Sequence, residues 1–599
     1  MGVFNPRIVD ASIRDVTSCL SDGQKVEVLL YALQHLPAES SRTVIENAVQ
    51  SCLQIRNLPS GCIAKARILR AKARLAAGSL SSAQQDLRAT LVIEPENQEV
   101  GSLIKAQNLT SEMLREPGDT PKFSTEIWRE IALCLPRRDL KSLLWVPHAL
   151  SRIASQLLFR EIDLYLTSSS DFAREDSYLR VCLSHAGSSD KDLDNWHCQR
   201  SADILTRILV DPSFASLVKT LRIFAATRDG AHPLTFETGM LTNALPKMMN
   251  LRNFKCSGSR LILNKILEIL HSSSSRLRML SLTATDVAGD IDIPKFRHIT
   301  HFSYTTEGGN CVAAHEFLSQ SRDTLRAFAI SNLHWRFPTE AISVRNLTQI
   351  DFHGVFPADT HPFSEILSSG HQLESLSLSG LFECAPSSSF RLFRSSLPFL
   401  RHFAINISGL HRHVTDRDLI PAISEFLRDR TQLQTFELVV PRSDLLYRRI
   451  GFDASAWGVL PSLTGLRSLF ITYPKDLSPA LAAWLIPRSV RALTLDFISS
   501  FVEDPVPFLN HLRPGVPPLL KYVAMTDFPL PTVFSVVEHG FPNVRVVRVG
   551  GNFWTVSRLD DGTPEMEAWP ARRAQFHATE WLESLDCEDA VWHGVSSKI

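Results

Sequence analysis

The stretch Leu277-Arg278-Met279-Leu280-Ser281-Leu282 sets apolar residues at positions one, four and six of a hexad. In an extended segment side chains alternate, so Leu280 and Leu282 share one face while Ser281 takes the other. The spacing recurs upstream in Val218/Leu221/Ile223 and Leu251/Phe254/Cys256, and downstream in Ile299/Phe302/Tyr304, Leu325/Phe328/Ile330 and Leu347/Ile350/Phe352. It continues through Leu373/Leu376/Leu378, Leu400/Phe403/Ile405, Leu433/Phe436/Leu438, Leu466/Leu469/Ile471, Val490/Leu493/Leu495, Leu520/Val523/Met525 and Val544/Val547/Val549. That makes thirteen frames whose first members lie 22 to 33 residues apart. One hexad fits any half-buried strand, whereas thirteen in succession describe a unit repeated along the chain.

Between the frames lie segments such as Leu261–Leu270 and Leu419–Leu427, with apolar residues at helical spacing. A strand and a returning helix, repeated, bury their apolar faces only by stacking on the next copy. Residues 211–552 resemble a degenerate leucine-rich-repeat region, although the asparagine that often closes such a repeat is mostly missing. An ordinary parallel α/β sheet would carry the same hexads and stays open as the alternative. The fold class expected is α/β overall: an all-α N-terminal segment, a three-helix module, then a solenoid of parallel strands and helices. Residues 167–210 are read as connecting or capping helices. Residues 553–599 are read as a C-terminal cap, with helical Ala571–Leu585 placed at the open end of the stack.

Residues 1–116 carry helical periodicity around 8–20, 24–36, 41–55, 62–77, 80–92 and 98–114. Within them Ala64 to Asn97 resembles a tetratricopeptide repeat: Ala71, Ala83, Leu87, Thr90 and Pro95 fall on its spacing. Small residues let paired helices approach, and the proline ends the second one. Arg67 and Arg70 stand where that repeat has large apolar side chains, and a plain antiparallel helical bundle is the other reading.

Between these blocks, residues 121–166 read as three short helices. Ser124 or Thr125 caps the first, and Glu126 suits the positive end of its dipole. Ile127, Ile131 and Leu135 recur every four residues as one stripe, and Pro136 stops the helix. Asp139 caps the next, with Leu140, Leu143 and Leu144 apolar, and Pro147 precedes a third helix holding Leu150, Ile153, Ala154, Leu157 and Leu158. A unit of about 45 residues buries too little surface to stand alone, so outward apolar positions there imply a partner.

Phe123, Glu126, Ile127, Ile131, Leu135, Pro136, Asp139, Leu140, Leu143 and Val146 match the residue types and spacing of an F-box, which this stretch resembles. It departs at Ser124, where the family usually opens with proline, and after Val146, where a tryptophan is common; Phe159-Arg160 is read as its closing aromatic–basic pair. The resemblance implies docking of those ten residues to the Skp-type linker subunit of an SCF ubiquitin ligase, and through it to a cullin. With leucine-rich repeats behind and tetratricopeptide-like helices in front, the chain resembles fungal F-box/leucine-rich-repeat substrate receptors. The repeat surface would then capture target proteins. A repeat scaffold engaging no ligase is the competing expectation.

Composition narrows the rest. In 599 residues, 63 Lys and Arg balance 63 Asp and Glu, which argues against binding nucleic acid by counterion release. The 10 cysteines form no C-x-x-C pair, so neither a disulfide framework nor a zinc set is expected. No apolar run is long enough to span a membrane, and the opening residues hold no apolar signal core, so a cytoplasmic or nuclear protein is expected. Nucleophile-elbow, phosphate-loop and zinc-protease motifs are missing, and His411-Arg412-His413 lacks further ligands. No catalytic residue, metal or cofactor is therefore expected. One feature concerns a ligand. The residue after each frame's first member is basic in nine of thirteen frames, at Lys219, Arg252, Arg278, Arg326, Arg401, Arg467, Arg491, Lys521 and Arg545, and acidic only at Glu374. Lys219, Arg222, Arg252 and Lys255 are the candidate target contacts, suited to an acidic or phosphorylated segment; long side chains with solvated heads are the plainer reading.

Overall fold

The structure is a computed structural model. It describes residues 19–35, 42–55, 58–76, 79–104, 125–135, 137–146, 149–166, 189–225, 235–273, 276–284, 291–306, 308, 311–441, 443–496, 505–526, 533–559, 562–570, 574 and 577–592. The chain divides into two compact units, residues 1–130 with 146–150 and residues 131–145 with 151–599.

The first unit holds helices Asp22–Gln34, Arg42–Leu53, Ser60–Ala76 and Leu80–Ile93. Ser21 opens the first with a reciprocal capping box to Gln24. Ala71, Ala83, Leu87 and Thr90 are all fully buried, which is how the small residues bring the third and fourth helices together. Of the two arginines at odds with a tetratricopeptide pattern, Arg67 is half-buried and Arg70 is paired. The guanidinium of Arg70 grips the buried carboxylate of Asp86 with two bonds, at 2.8 and 2.5 Å, and Arg74 adds a third at 2.8 Å. A paired charge thus fills a slot where an apolar side chain was expected.

Among the described residues of the second unit, sixteen strands form one sheet in strict chain order. They are β1 Glu161–Tyr165, β2 Thr220–Ala225, β3 Asn253–Gly258, β4 Met279–Ala284, β5 His301–Thr306, β6 Ala327–Arg336, β7 Gln349–Phe356 and β8 Ser375–Phe382. Then follow β9 His402–Leu410, β10 Thr435–Val439, β11 Ser468–Thr472, β12 Ala492–Asp496, β13 Tyr522–Thr526, β14 Val546–Val549, β15 Asn552–Arg558 and β16 Pro564–Ala568. Each of the thirteen sequence frames runs into one strand from β2 to β14. The architecture is a long parallel sheet with helices between its strands, compatible with a solenoid.

Two expectations are corrected. The sheet starts at Glu161, inside the segment read as a three-helix module: β1 pairs in parallel with β2 from Glu161↔Thr220 to Tyr165↔Phe224. Phe159-x-x-Ile162-x-Leu164 is a fourteenth frame, with Arg160 in its basic slot. Phe159 packs edge-on against Phe214 at 5.0 Å rather than closing the helical module. At the other end the sheet is finished by β15 and β16, which pair antiparallel, and the C-terminal helix lies elsewhere.

Fourth and sixth frame positions point into one core with the helices. Leu280, Leu282, Phe352, Phe403 and Leu493 are fully buried there beside helical Leu263, Ile266, Leu419 and Ile423. Phenylalanines thicken its middle, with Phe356 at 4.8 Å from Phe363 and 4.9 Å from Phe382. Gly380 sits opposite Gly354 at φ +140°, and a Cβ on it would fall 1.7 Å from the Gly354 oxygen, so only glycine lets β7 and β8 meet there.

Candidate interaction surfaces

The chain carries two candidate surfaces: the short helices before β1, and the sheet face opposite the helical core.

Helices Thr125–Leu133, Arg137–Leu143 and Ala149–Leu158 form where the sequence placed them. The amides of Cys134 and Leu135 bond back to Ile131 and Ala132, ending the first helix, and the Ser151 hydroxyl donates to the Leu144 carbonyl at 3.1 Å, tying the third helix to the second. Ala132, Ile153, Ala154 and Leu158 are buried. Ile127 is 45% exposed and Ile131, one turn on, 43% exposed. Leu133 is 49% exposed and Trp145 88% exposed. Of the ten residues matched to the docking pattern, Glu126, Ile127, Ile131, Asp139 and Val146 are exposed, while Leu135 and Leu143 are half-buried. Leu140 is 8% exposed. Phe123 and Pro136 lie outside the described residues. Reading by spacing missed Leu133 and Trp145; a tryptophan beside a turn in so small a module was the available signal.

The second surface is built from first, third and fifth strand positions. Along its edge, one residue before each strand, successive frames are joined by backbone bonds. The Arg252 amide donates to the Lys219 carbonyl and Arg278 to Arg252, and the line goes on through Thr300, Arg326, Thr348, Glu374, Arg401, Gln434, Arg467, Arg491 and Lys521 to Arg545. Its basic members are thus interrupted at Thr300, Thr348, Glu374 and Gln434. Lys219 and Thr220 both donate to Arg160, so the row begins one strand earlier than the sequence frames placed it. Neighbours in such a row stand about 4.8 Å apart.

Arg222 and Lys255, candidates for an acidic target, are placed side by side by the β2–β3 register. Arg222 is already engaged: its guanidinium holds Asp163 at 2.7 Å and approaches Glu161 at 3.6 Å. Burial works against its charge, but the carboxylates of Asp163, Glu161 and Glu580 outweigh it and raise its pKa. Lys255 has the opposite balance, with burial and the Arg222 cation pulling its ammonium below the usual lysine range. Lys219 is half-buried and Arg252 exposed.

The C-terminal residues lie on this face. Ala578, Leu582, Cys587 and Ala590, none more than 4% exposed, form one apolar cluster with Ala492 of β12, Tyr522 and Ala524 of β13, Val546 of β14 and Phe553 of β15. Asp586, in the left-handed conformation at φ +61°, turns the chain after helix Ala578–Ser584. Its carboxylate meets the Lys521 ammonium and, at 3.4 Å, the Arg545 guanidinium. Asp589 reaches Arg491 at 3.9 Å, and Trp592 stacks on His402 of β9 at 3.8 Å. His577 meets Tyr165 of β1 at 6.2 Å. His577 and Asp586 are nine residues apart, about 14 Å along a mostly helical path. The strands they meet are twelve spacings apart, about 58 Å on a flat sheet. The sheet therefore curves strongly, with this face concave and both its ends against one short segment.

Among the described residues no three His, Cys, Asp or Glu side chains are grouped to hold a metal, no helix is long and apolar enough to cross a membrane, and no disulfide forms. Burial pushes the Cys587 thiol up to about 12.

No protein-family model and no curated protein matches the chain. Among solved structures it is similar to the yeast Rad7–Elc1 complex, at 13% identity over 77% of this chain and 92% of that one, with a TM-score of 0.30. It is also similar to Haemophilus influenzae LpoA, at 12% identity over 84% and 77% of the two chains, with a TM-score of 0.12. Neither TM-score reaches the level of a shared fold, and the functional reading rests on the chain's own residues.

Proposed function

We propose that this chain is a non-catalytic substrate receptor of an SCF-type ubiquitin ligase. Residues 121–166 serve as the F-box apart from β1, the sheet and its helices as leucine-rich repeats, and the N-terminal helices as a tetratricopeptide-like segment. The observation that carries the reading is the exposure of two apolar residues of the matched pattern, Ile131 at 43% and Ile127 at 45%. Covering each of these half-exposed side chains would contribute about 1 kcal/mol. These residues belong to a stretch whose residue types match an F-box, so the occupant proposed is the Skp-type linker subunit, with a cullin bound beyond it. The chain itself supplies no chemistry. Binding a target to the repeat surface raises the local concentration of its lysines beside a ubiquitin-charged enzyme carried by other subunits.

Co-expression with the linker subunit tests this. The expected result is a complex that survives size-exclusion chromatography and is lost in Ile131→Asp, with the variant's unfolding midpoint unchanged. A wild-type chain eluting alone would leave a repeat scaffold with no ligase role.

A further inference from the structure

Residues 577–592, His-Ala-Thr-Glu-Trp-Leu-Glu-Ser-Leu-Asp-Cys-Glu-Asp-Ala-Val-Trp, hold five carboxylates, two tryptophans and no lysine or arginine. They lie on the face whose edge is a row of cations, and their carboxylates meet members of that row: Asp586 with Lys521 and Arg545, Asp589 with Arg491. The apolar side of the segment fills concave positions kept small or apolar, at Ala492, Ala524 and Val546. We propose that the concave face is a receptor for an acidic, tryptophan-bearing segment of a partner protein, and that residues 577–592 are a built-in occupant which such a segment displaces. This deepens the reading of the sheet as a target-binding surface and rests on it.

Three observations favour displacement over a permanent brace. The row extends beyond the occupant's ion pairs: Arg252, Arg278, Arg326 and Arg401 are exposed and, with Thr300, Thr348 and the acidic Glu374 between them, offer a longer acidic segment cations that this one leaves unused. The occupant's charges also crowd each other. Burial and the neighbouring carboxylates of Glu580, Glu161 and Glu588 raise the pKa of Glu583, and burial with Glu588 does the same for Asp589. Finally, its ion pairs are partly solvated, with side-chain exposures of 23% at Lys521 and 53% at Asp586, so they are weak and open to salt. A tethered occupant competes at an effective concentration near the millimolar range, so loosening it by some factor tightens a partner's apparent affinity by the same factor.

The test uses the full-length protein and a fluorescent synthetic peptide with the 577–592 sequence carrying Cys587→Ser. In the variant Asp586→Lys/Asp589→Lys the peptide should bind about ten-fold tighter than to wild type, and a peptide with every carboxylate replaced by its amide should not bind. Alkylation of Cys587, read by peptide mapping, reports whether the segment has left. A variant whose Cys587 labels quickly but which binds the peptide no better overturns the proposal, because the face is then free and refuses an acidic ligand. Cys587 protected in both proteins, with no peptide bound, overturns it as well. Should the variant not fold, about 1 mM acidic peptide added to wild type should speed Cys587 alkylation several-fold, and an unchanged rate contradicts the idea. The linker subunit takes no part, so failure here leaves ligase binding to its own experiment.

Discussion

Residues 577–592 and residues 131–145 are short helical stretches in the same unit, each with apolar side chains at helical spacing. The first sinks Ala578, Leu582, Cys587 and Ala590 against the sheet, while the second leaves Ile131, Leu133 and Trp145 outward. The first stretch thus has a complementary apolar surface within its unit, and the outward side chains of the second do not. A side chain held at the surface at some cost in hydration free energy is best explained by a partner that removes the cost.

The sharpest attack on this contrast is Leu582→Asp. A carboxylate placed at a fully buried position without a partner should cost about 4 kcal/mol, read as a lowered urea midpoint. A loss below about 1 kcal/mol would mean the segment is not seated as described. The His402–Trp592 stack offers a smaller, pH-dependent check. Burial and the Arg401 cation lower the His402 pKa to about 4, against about 6.5 unfolded. The unfolded chain binds the extra proton between those values, so this contribution is whole above pH 6.5 and is lost as pH falls toward 4. His402→Gln should accordingly lose less stability than wild type between pH 7 and pH 4.5, and identical losses would show that the ring does not titrate this way. Asp586→Ala should cost no more than about 1 kcal/mol, an effect erased by high salt. The Lys521 bond holds the Asp586 pKa below its usual value, so this contribution is present at neutral pH and disappears on strong acidification. Smallest of all, Ile131→Asp should move the unfolding free energy by under about 0.5 kcal/mol, because the side chain already meets water. A large loss would place Ile131 in the core and erase the contrast.

Much of the architecture was legible as periodicity. Strand positions announce themselves because a buried face needs apolar residues at every second place, and thirteen hexads led to thirteen strands. Phe159/Ile162/Leu164 escaped because Phe159-Arg160 had been absorbed into the helical module, and a pattern can serve only one element at a time. Arg70 disagreed with its repeat because its partner Asp86 lies 16 residues on, and a pair filling an apolar slot is invisible to single-position matching. The concave face shows the same limit more plainly. A basic row and an acidic C-terminal stretch were each readable alone, but their meeting depends on a sheet curved enough to bring β1 and β13 to one segment. Local spacing carries no information on that curvature. Lys521 and Asp586, 65 residues apart, meet through the fold alone.

The most direct test of the functional reading is pull-down of the purified linker subunit by the full-length wild-type chain and by Ile131→Asp, with urea midpoints measured alongside. Stoichiometric capture by wild type, at least a hundred-fold weaker capture by the variant, and matching midpoints are expected. Equal capture by both proteins, or none by either, would contradict it.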